Sequence, residues 1–188
     1  MIKSVCVYCG ASAGARPEYA SAAQDLGVAL VRRNLGLVYG GAHVGLMGII
    51  ADSALAAGGH VEGVIPQSLQ ERELAHQGLS ELHVVANMAE RKEKMATLAD
   101  AFIALPGGVG TLDELFETIT WNALGMHRKP SGVLDVNGYW QPLLKMLTSM
   151  ETEQFVRRPW RDLLSVADTP EALLDQLIAK DEISGSRQ

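Results

Sequence analysis

The residues best able to do chemistry in this chain are an arginine and a carboxylate, each near the start of a helix. Asn87-Met88-Ala89-Glu90 has the form of a capping box, and Arg91-Lys92 follow directly in the first helical turn. A cation there opposes the helix dipole. Either Glu90 and Glu93 balance a solvated pair, or Arg91 is placed to clamp an anion. Further along, Pro106-Gly107-Gly108-Val109-Gly110-Thr111-Leu112-Asp113-Glu114 joins a glycine-rich loop to a second helix. Thr111 and Glu114 also fit a capping box, which would make Glu114 structural. If the N-terminal donors of that helix face a phosphate instead, they do not need the carboxylate, and Glu114 can face the ligand. Glu117 lies on nearly the same helix face and is a second candidate.

Two further loops share this glycine chemistry, Cys9-Gly10-Ala11-Ser12-Ala13-Gly14 and Tyr39-Gly40-Gly41-Ala42-His43-Val44-Gly45-Leu46-Met47-Gly48. Glycine reaches positive φ cheaply and lets backbone N–H groups approach a ligand without a Cβ in the way. Gly107 to Thr111 are therefore expected to hold a phosphate, with Gly10, Ser12, Gly41 and His43 lining the site. No G-x-G-x-x-G with an acidic ribose ligand occurs, and no Lys-Ser/Thr of a triphosphate loop. No cofactor is expected.

Other catalytic patterns are missing. His43, His60, His76, His83 and His127 form no H-E-x-x-H spacing, and no serine sits in a G-x-S-x-G elbow. Cys6 and Cys9 are spaced C-x-x-C on a strand and its end, so they point to opposite faces and read as buried or site-lining. No metal site is expected. Arginine plus carboxylate is what remains.

The elements that must position these groups alternate strictly. Strands are predicted at Ser4–Tyr8, Leu35–Tyr39, His60–Ile65, Glu81–Val85, Ala101–Leu105, Gly132–Val136 and, as a short edge, Leu163–Val166. Helices are predicted at Pro17–Arg33, Gly45–Ala57, Met88–Ala99, Thr111–Leu124, Tyr139–Met150 and Thr169–Lys180. Strands that are apolar throughout belong in a parallel sheet covered on both faces. The fold class is α/β, a single Rossmann-like doubly wound parallel sheet, with ligands bound beyond the carboxyl ends of the strands. Residues 1–181 read as one nucleotide-binding domain and 182–188 as a frayed tail.

Length and composition agree with a globular domain: 188 residues, 47% hydrophobic and 20% charged, with a formal charge of −6. An acidic chain without a basic run argues against a nucleic-acid partner. No segment reads as a signal peptide or a membrane span, so no membrane partner is expected and the cytoplasm is the expected location. Phe116, Ile119, Trp121 and Leu124 give the helix after the third loop more apolar surface than one sheet contact needs, which predicts a homodimer.

Taken in order, C-V-Y-C-G-A-S, Y-G-G with G-L-M-G, Arg91-Lys92 and P-G-G-x-G-T-x-x-E make the chain resemble the Lonely Guy family. These are cytokinin riboside 5′-monophosphate phosphoribohydrolases, often labelled lysine decarboxylases. The resemblance implies cleavage of the N-glycosidic bond of a nucleoside 5′-monophosphate, releasing free base and ribose 5-phosphate. It places the catalytic pair on Arg91 and Glu114. It places substrate contacts on Glu73, Arg91, Lys92, the stretch Gly108, Val109, Gly110, Thr111, Leu112, Asp113 and Glu114, and on Thr120. It also implies a dimer. Where the family often has His before Glu-Arg-Lys, this chain has Ala89. The other reading is a non-catalytic nucleotide-monophosphate sensor or carrier on the same fold.

Overall fold

The structure, a computed structural model, describes residues 1–72 and 74–185. Glu73 and residues 186–188, which include part of the expected tail, lie outside the described residues. Seven strands form one parallel sheet in the order β4-β3-β2-β1-β5-β6-β7. They are β1 Ser4–Tyr8, β2 Gly36–Tyr39, β3 Val61–Pro66, β4 Glu81–Val85, β5 Ala101–Ala104, β6 Ser131–Leu134 and β7 Leu164–Ala167. The expected strands are all present, and the doubly wound Rossmann-like architecture is confirmed.

The helices divide between the two faces because the strands are apolar on both. On one side α1 (Pro17–Arg32), α2 (Gly45–Ala56) and α8 (Pro170–Gly185) bury Leu26, Leu30, Ile50, Leu173 and Leu177 against Val5, Val7, Leu37 and Ile103. On the other, α4 (Met88–Leu98), α5 (Val109–Ala123) and α6 (Gln141–Thr152) bury Met95, Leu115, Ile119, Leu144 and Leu147 against Cys6, Val38, Val64 and Phe102. Two single-turn helices, α3 (Gln67–Gln70) and α7 (Trp160–Leu163), and a 3-10 turn at Val136–Gly138 were not expected. α8 continues to Gly185, past the predicted end at Lys180.

Strand order reverses between β1 and β5, which pair directly over Val5↔Ala101 to Tyr8↔Ala104. Their two outgoing loops therefore diverge to opposite sides and leave a crevice, the usual ligand position in open α/β sheets. Gly10 N–H donates to Pro106 O at 3.1 Å, and Leu46 N–H to Gly10 O at 3.0 Å, so all three glycine loops are laced together at this edge.

One expectation is corrected here. α5 begins at Val109, with Gly108 as its N-cap, rather than at Thr111. Thr111 is therefore inside the first turn and buried, and it forms no capping box with Glu114. The Asn87 cap does form, Asn87 Oδ1 accepting from Glu90 N–H at 3.0 Å, while the Glu90 carboxylate reaches back one residue further than a capping box requires, to Ala86 N–H at 3.0 Å.

Candidate active site

A cavity of about 230 Å³ opens at the crevice. Its floor is the end of β1 with Tyr8, Cys9, Gly10 and Ala11; its walls are Gly40 and Met47 on one side, Arg91 on α4, and Gly108, Gly110, Thr111, Asp113 and Glu114 at the start of α5. Sequence separation is large, yet Arg91 and Glu114 face each other across it, with Nη1 4.0 Å from Oε1.

Arg91 is held by backbone rather than by carboxylate. Its Nε donates to Val64 O at 3.0 Å and its Nη2 to Gly40 O at 2.8 Å, and the residue is 7% exposed. A guanidinium anchored at two nitrogens keeps Nη1 for the cavity, where it meets Met88 Sδ at 3.8 Å. The arrangement explains Gly40: a Cβ there would lie 2.0 Å from Arg91 Nη2. Arg91 is therefore not half of a solvated pair balanced by Glu90 and Glu93.

Glu114 has 11% of its side chain exposed. Burial raises its carboxyl, against the opposing pull of Arg91, from 4.5 to about 7. Asp113 and Glu117 add to the rise and Lys92 opposes it. A carboxyl poised near neutrality in a cleft is the arrangement general acid–base work requires.

The start of α5 supplies the anion side. Among the described residues no side chain caps its first N–H groups, and Gly108 and Gly110 beside them line the cavity, so these donors and the helix dipole are open to an anion. Gly107 is there for packing, since a Cβ would fall 2.1 Å from Thr111 Oγ1. Gly108 and Gly110 are different. A Cβ on either would meet no protein atom within 4 Å, so the bare backbone there leaves room beside the helix start. Ser12 and Gly107 line an adjoining groove with Tyr19 and Tyr139, and the Tyr139 hydroxyl donates to Gly107 O.

The expected residues do not all converge. Arg91, Gly10, Gly108, Gly110, Thr111, Asp113 and Glu114 line the cavity together. Lys92 is engaged with Asp113 at 2.9 Å and Glu117 at 3.2 Å, which ties α4 to α5 at the rim. Val109 is 84% exposed, and Leu112 packs into the core. Thr120 lies further along α5 beside Phe116, Ile119 and Trp160, in a separate apolar cavity. Two loop assignments are corrected. His43 is exposed and turns its Nδ1 to Leu74 O at 3.0 Å, and Gly41 serves a turn at φ 75° whose carbonyl accepts from His76 N–H. Their neighbour Gly40 lines the cavity in their place. Cys6 and Cys9 are both free and buried, Cys9 against the cavity. Residues missed from sequence are Tyr8, Met47, Met88 and Met95. Met88, Arg91 and Met95 share one face of α4 by their spacing, a signal open to reading beforehand.

An α/β crevice with an uncapped helix start, a buried arginine and a carboxyl near neutrality is an arrangement suited to an anionic ligand and to acid–base chemistry. Comparison with known proteins refines the class. The family model described as "possible lysine decarboxylase" matches residues 47–177. Cytokinin riboside 5′-monophosphate phosphoribohydrolase LOG7 of Arabidopsis thaliana is 47% identical over 175 residues, covering 93% of this chain and 81% of the relative. The probable enzyme of that name, LOGL2 of Oryza sativa subsp. japonica, is also 47% identical over 175 residues, covering 93% of this chain and 72% of the relative. Among solved structures, the Moco carrier protein of Chlamydomonas reinhardtii superposes with a TM-score of 0.72 at 22% identity, covering 96% of this chain and 99% of that one. That likeness shows the fold alone. The chain belongs to the family of these phosphoribohydrolases, the Lonely Guy family.

Proposed function

We propose that this protein hydrolyses the N-glycosidic bond of a cytokinin-type adenosine 5′-monophosphate, giving free base and ribose 5-phosphate. The observation that carries the reading is Glu114, a carboxyl near neutrality facing an arginine beside an uncapped helix start. The 5′-phosphate rests on the N–H groups at the start of α5, where Gly108 and Gly110 leave space. Arg91 Nη1 orients the ribose phosphate. As the C1′–N bond breaks, positive charge develops on the sugar, and the Glu114 carboxylate stabilises it while holding the attacking water. Water oxygen bonds C1′, Glu114 takes one proton, and that proton is then available to the departing base nitrogen.

The same reading takes residues 1–181 as one domain, and the enzyme as a cytoplasmic homodimer without nucleic-acid or membrane partners. The dimer is supported by Leu124 and Met126, 71% and 68% exposed beyond α5, and by the apolar cavity around Thr120. No helix among the described residues is long and apolar enough to cross a membrane. The decarboxylase wording finds no counterpart in the cavity, which no lysine among the described residues lines.

Incubation with isopentenyladenosine monophosphate and with AMP, followed by assay of free base, tests the proposal. Base release from neither refutes it. Tight binding without turnover identifies the carrier alternative instead.

A further inference from the structure

Away from the crevice, two short patterns run in opposite order, His60-Val61-Glu62 entering β3 and Glu81-Leu82-His83 on β4. Residues two apart on a strand share a face, and the register sets Glu62 directly beside Glu81. The sequence spacing matches no metal motif. Cross-strand pairing nevertheless brings two imidazoles and two carboxylates to one patch at the sheet edge.

The distances suit ligation. His83 Nε2 lies 2.9 Å from Glu62 Oε2 and 3.5 Å from Glu81 Oε1, and His60 Nε2 lies 3.4 Å from Glu62 Oε1. One donor atom from each of Glu62, Glu81 and His83 falls within 4.8 Å of the other two. Donor atoms about a tetrahedral zinc ion, with bonds near 2.0–2.1 Å, are about 3.3 Å apart.

Charge argues in the same direction. Carboxylates directly opposite on neighbouring strands repel. Among the described residues, no lysine or arginine forms an ion pair with Glu62 or Glu81; the basic groups within 4 Å of them are the imidazoles of His60 and His83. A single Nε2–H of His83 cannot satisfy both carboxylates well, at 2.9 and 3.5 Å. Glu62 and His83 are only 19% and 17% exposed, so water screens the pair incompletely. A divalent cation satisfies all of these donors at once.

The geometry points to a metal site in which Glu62, Glu81 and His83 hold a divalent transition ion of the zinc type, with His60 beside Glu62 at its margin. Imidazole nitrogen selects such ions over magnesium or calcium. The site clips β4, the exposed edge strand, to β3, at a distance from the reacting groups and independently of the proposed hydrolysis.

The test uses the full chain, stripped with chelator and titrated with zinc chloride by calorimetry and thermal unfolding, with magnesium chloride in parallel. One zinc ion per chain, a higher Tm with zinc and no effect of magnesium are expected. Glu81→Gln, Glu62→Gln and His83→Gln should each weaken zinc binding by about tenfold or more. Glu81→Gln is the safeguard against misfolding, because that side chain is 56% exposed. Undetectable uptake at about 100 µM zinc, or undiminished uptake by the folded Glu81→Gln and His83→Gln variants, overturns the site.

Discussion

Arg91 Nη1 and Glu114 Oε1 stand 4.0 Å apart, too far for a hydrogen bond, while the other two guanidinium nitrogens are bonded to Val64 O and Gly40 O. The pair faces without closing. A closed bidentate pair would hold the carboxyl low. Here burial outweighs the arginine, and Glu114 rises to about 7.

A limb in the pH profile follows. kcat/KM reports groups of the free enzyme, so it should rise with pH through about 7 as Glu114 ionises. Glu114→Gln should remove the limb and lower kcat by roughly 10²–10⁴-fold, with nucleotide binding retained. Base release followed across pH by chromatography decides this, and a fully active Glu114→Gln protein refutes the role.

Stability should respond with the opposite sign from an ordinary paired carboxylate. The folded pKa is raised from 4.5 to about 7, so the native state binds the proton more tightly than the unfolded chain. That contribution is complete below pH 4.5 and lost as pH rises through about 7. Its size is about 3 kcal/mol. Glu114→Gln should thus be more stable than the parent at pH 8 and no more stable at pH 4, as read by denaturant unfolding.

The three glycines at the start of α5, Gly107, Gly108 and Gly110, should separate cleanly. Gly107→Ala should impair folding, because its Cβ would collide with Thr111 Oγ1. Gly108→Ala should leave Tm nearly unchanged yet weaken AMP binding, since the added carbon enters ligand space. Gly110→Ala, inside the first turn of α5, should raise stability by about 0.5–1 kcal/mol while also weakening binding. Calorimetric titration beside thermal unfolding gives both readings, and undiminished AMP binding in both open-space variants would contradict the site.

Gly40 and Arg91 should behave as one unit. A Cβ on Gly40 cannot coexist with Nη2 in its present position. Gly40→Ala and Arg91→Ala should each depress kcat/KM severely, and the double variant should be little worse than either. Additive losses in that cycle would mean that Arg91 is not displaced.

Much of this was legible in the sequence because strand runs and helix caps are local signals. The strands that end near Tyr8, Tyr39 and Leu105 and the Asn87 helix cap were readable in this way, whereas the pairing of Arg91 with Glu114 came only with the family resemblance. The start of α5 was misplaced because Thr111 offered a plausible cap, whereas the backbone turns at Gly108. The single turns at Gln67–Gln70 and Trp160–Leu163 are too short to show a helical period. His43 and Gly41 were placed by loop membership, but a loop has two sides and their neighbour Gly40 faces the cavity. Met47, Met88 and Met95 carry no polar signal that would mark them, since apolar helix residues are usually core.

The strand order carries a last consequence. Arg91 arrives on the connection that leaves the edge strand β4 and travels back to β5, passing over β3, β2 and β1; Glu114 rides the connection that sets out from β5 toward the other edge. Each wing of the sheet contributes one member of the pair, so under the proposed mechanism neither wing alone holds a competent site. Arg91, moreover, is anchored on the ends of β2 and β3, which must already be paired for its carbonyl partners to exist in place. Turnover in this protein therefore certifies the seam between the two wings. A molecule whose halves have each folded but have not yet docked should be chemically silent.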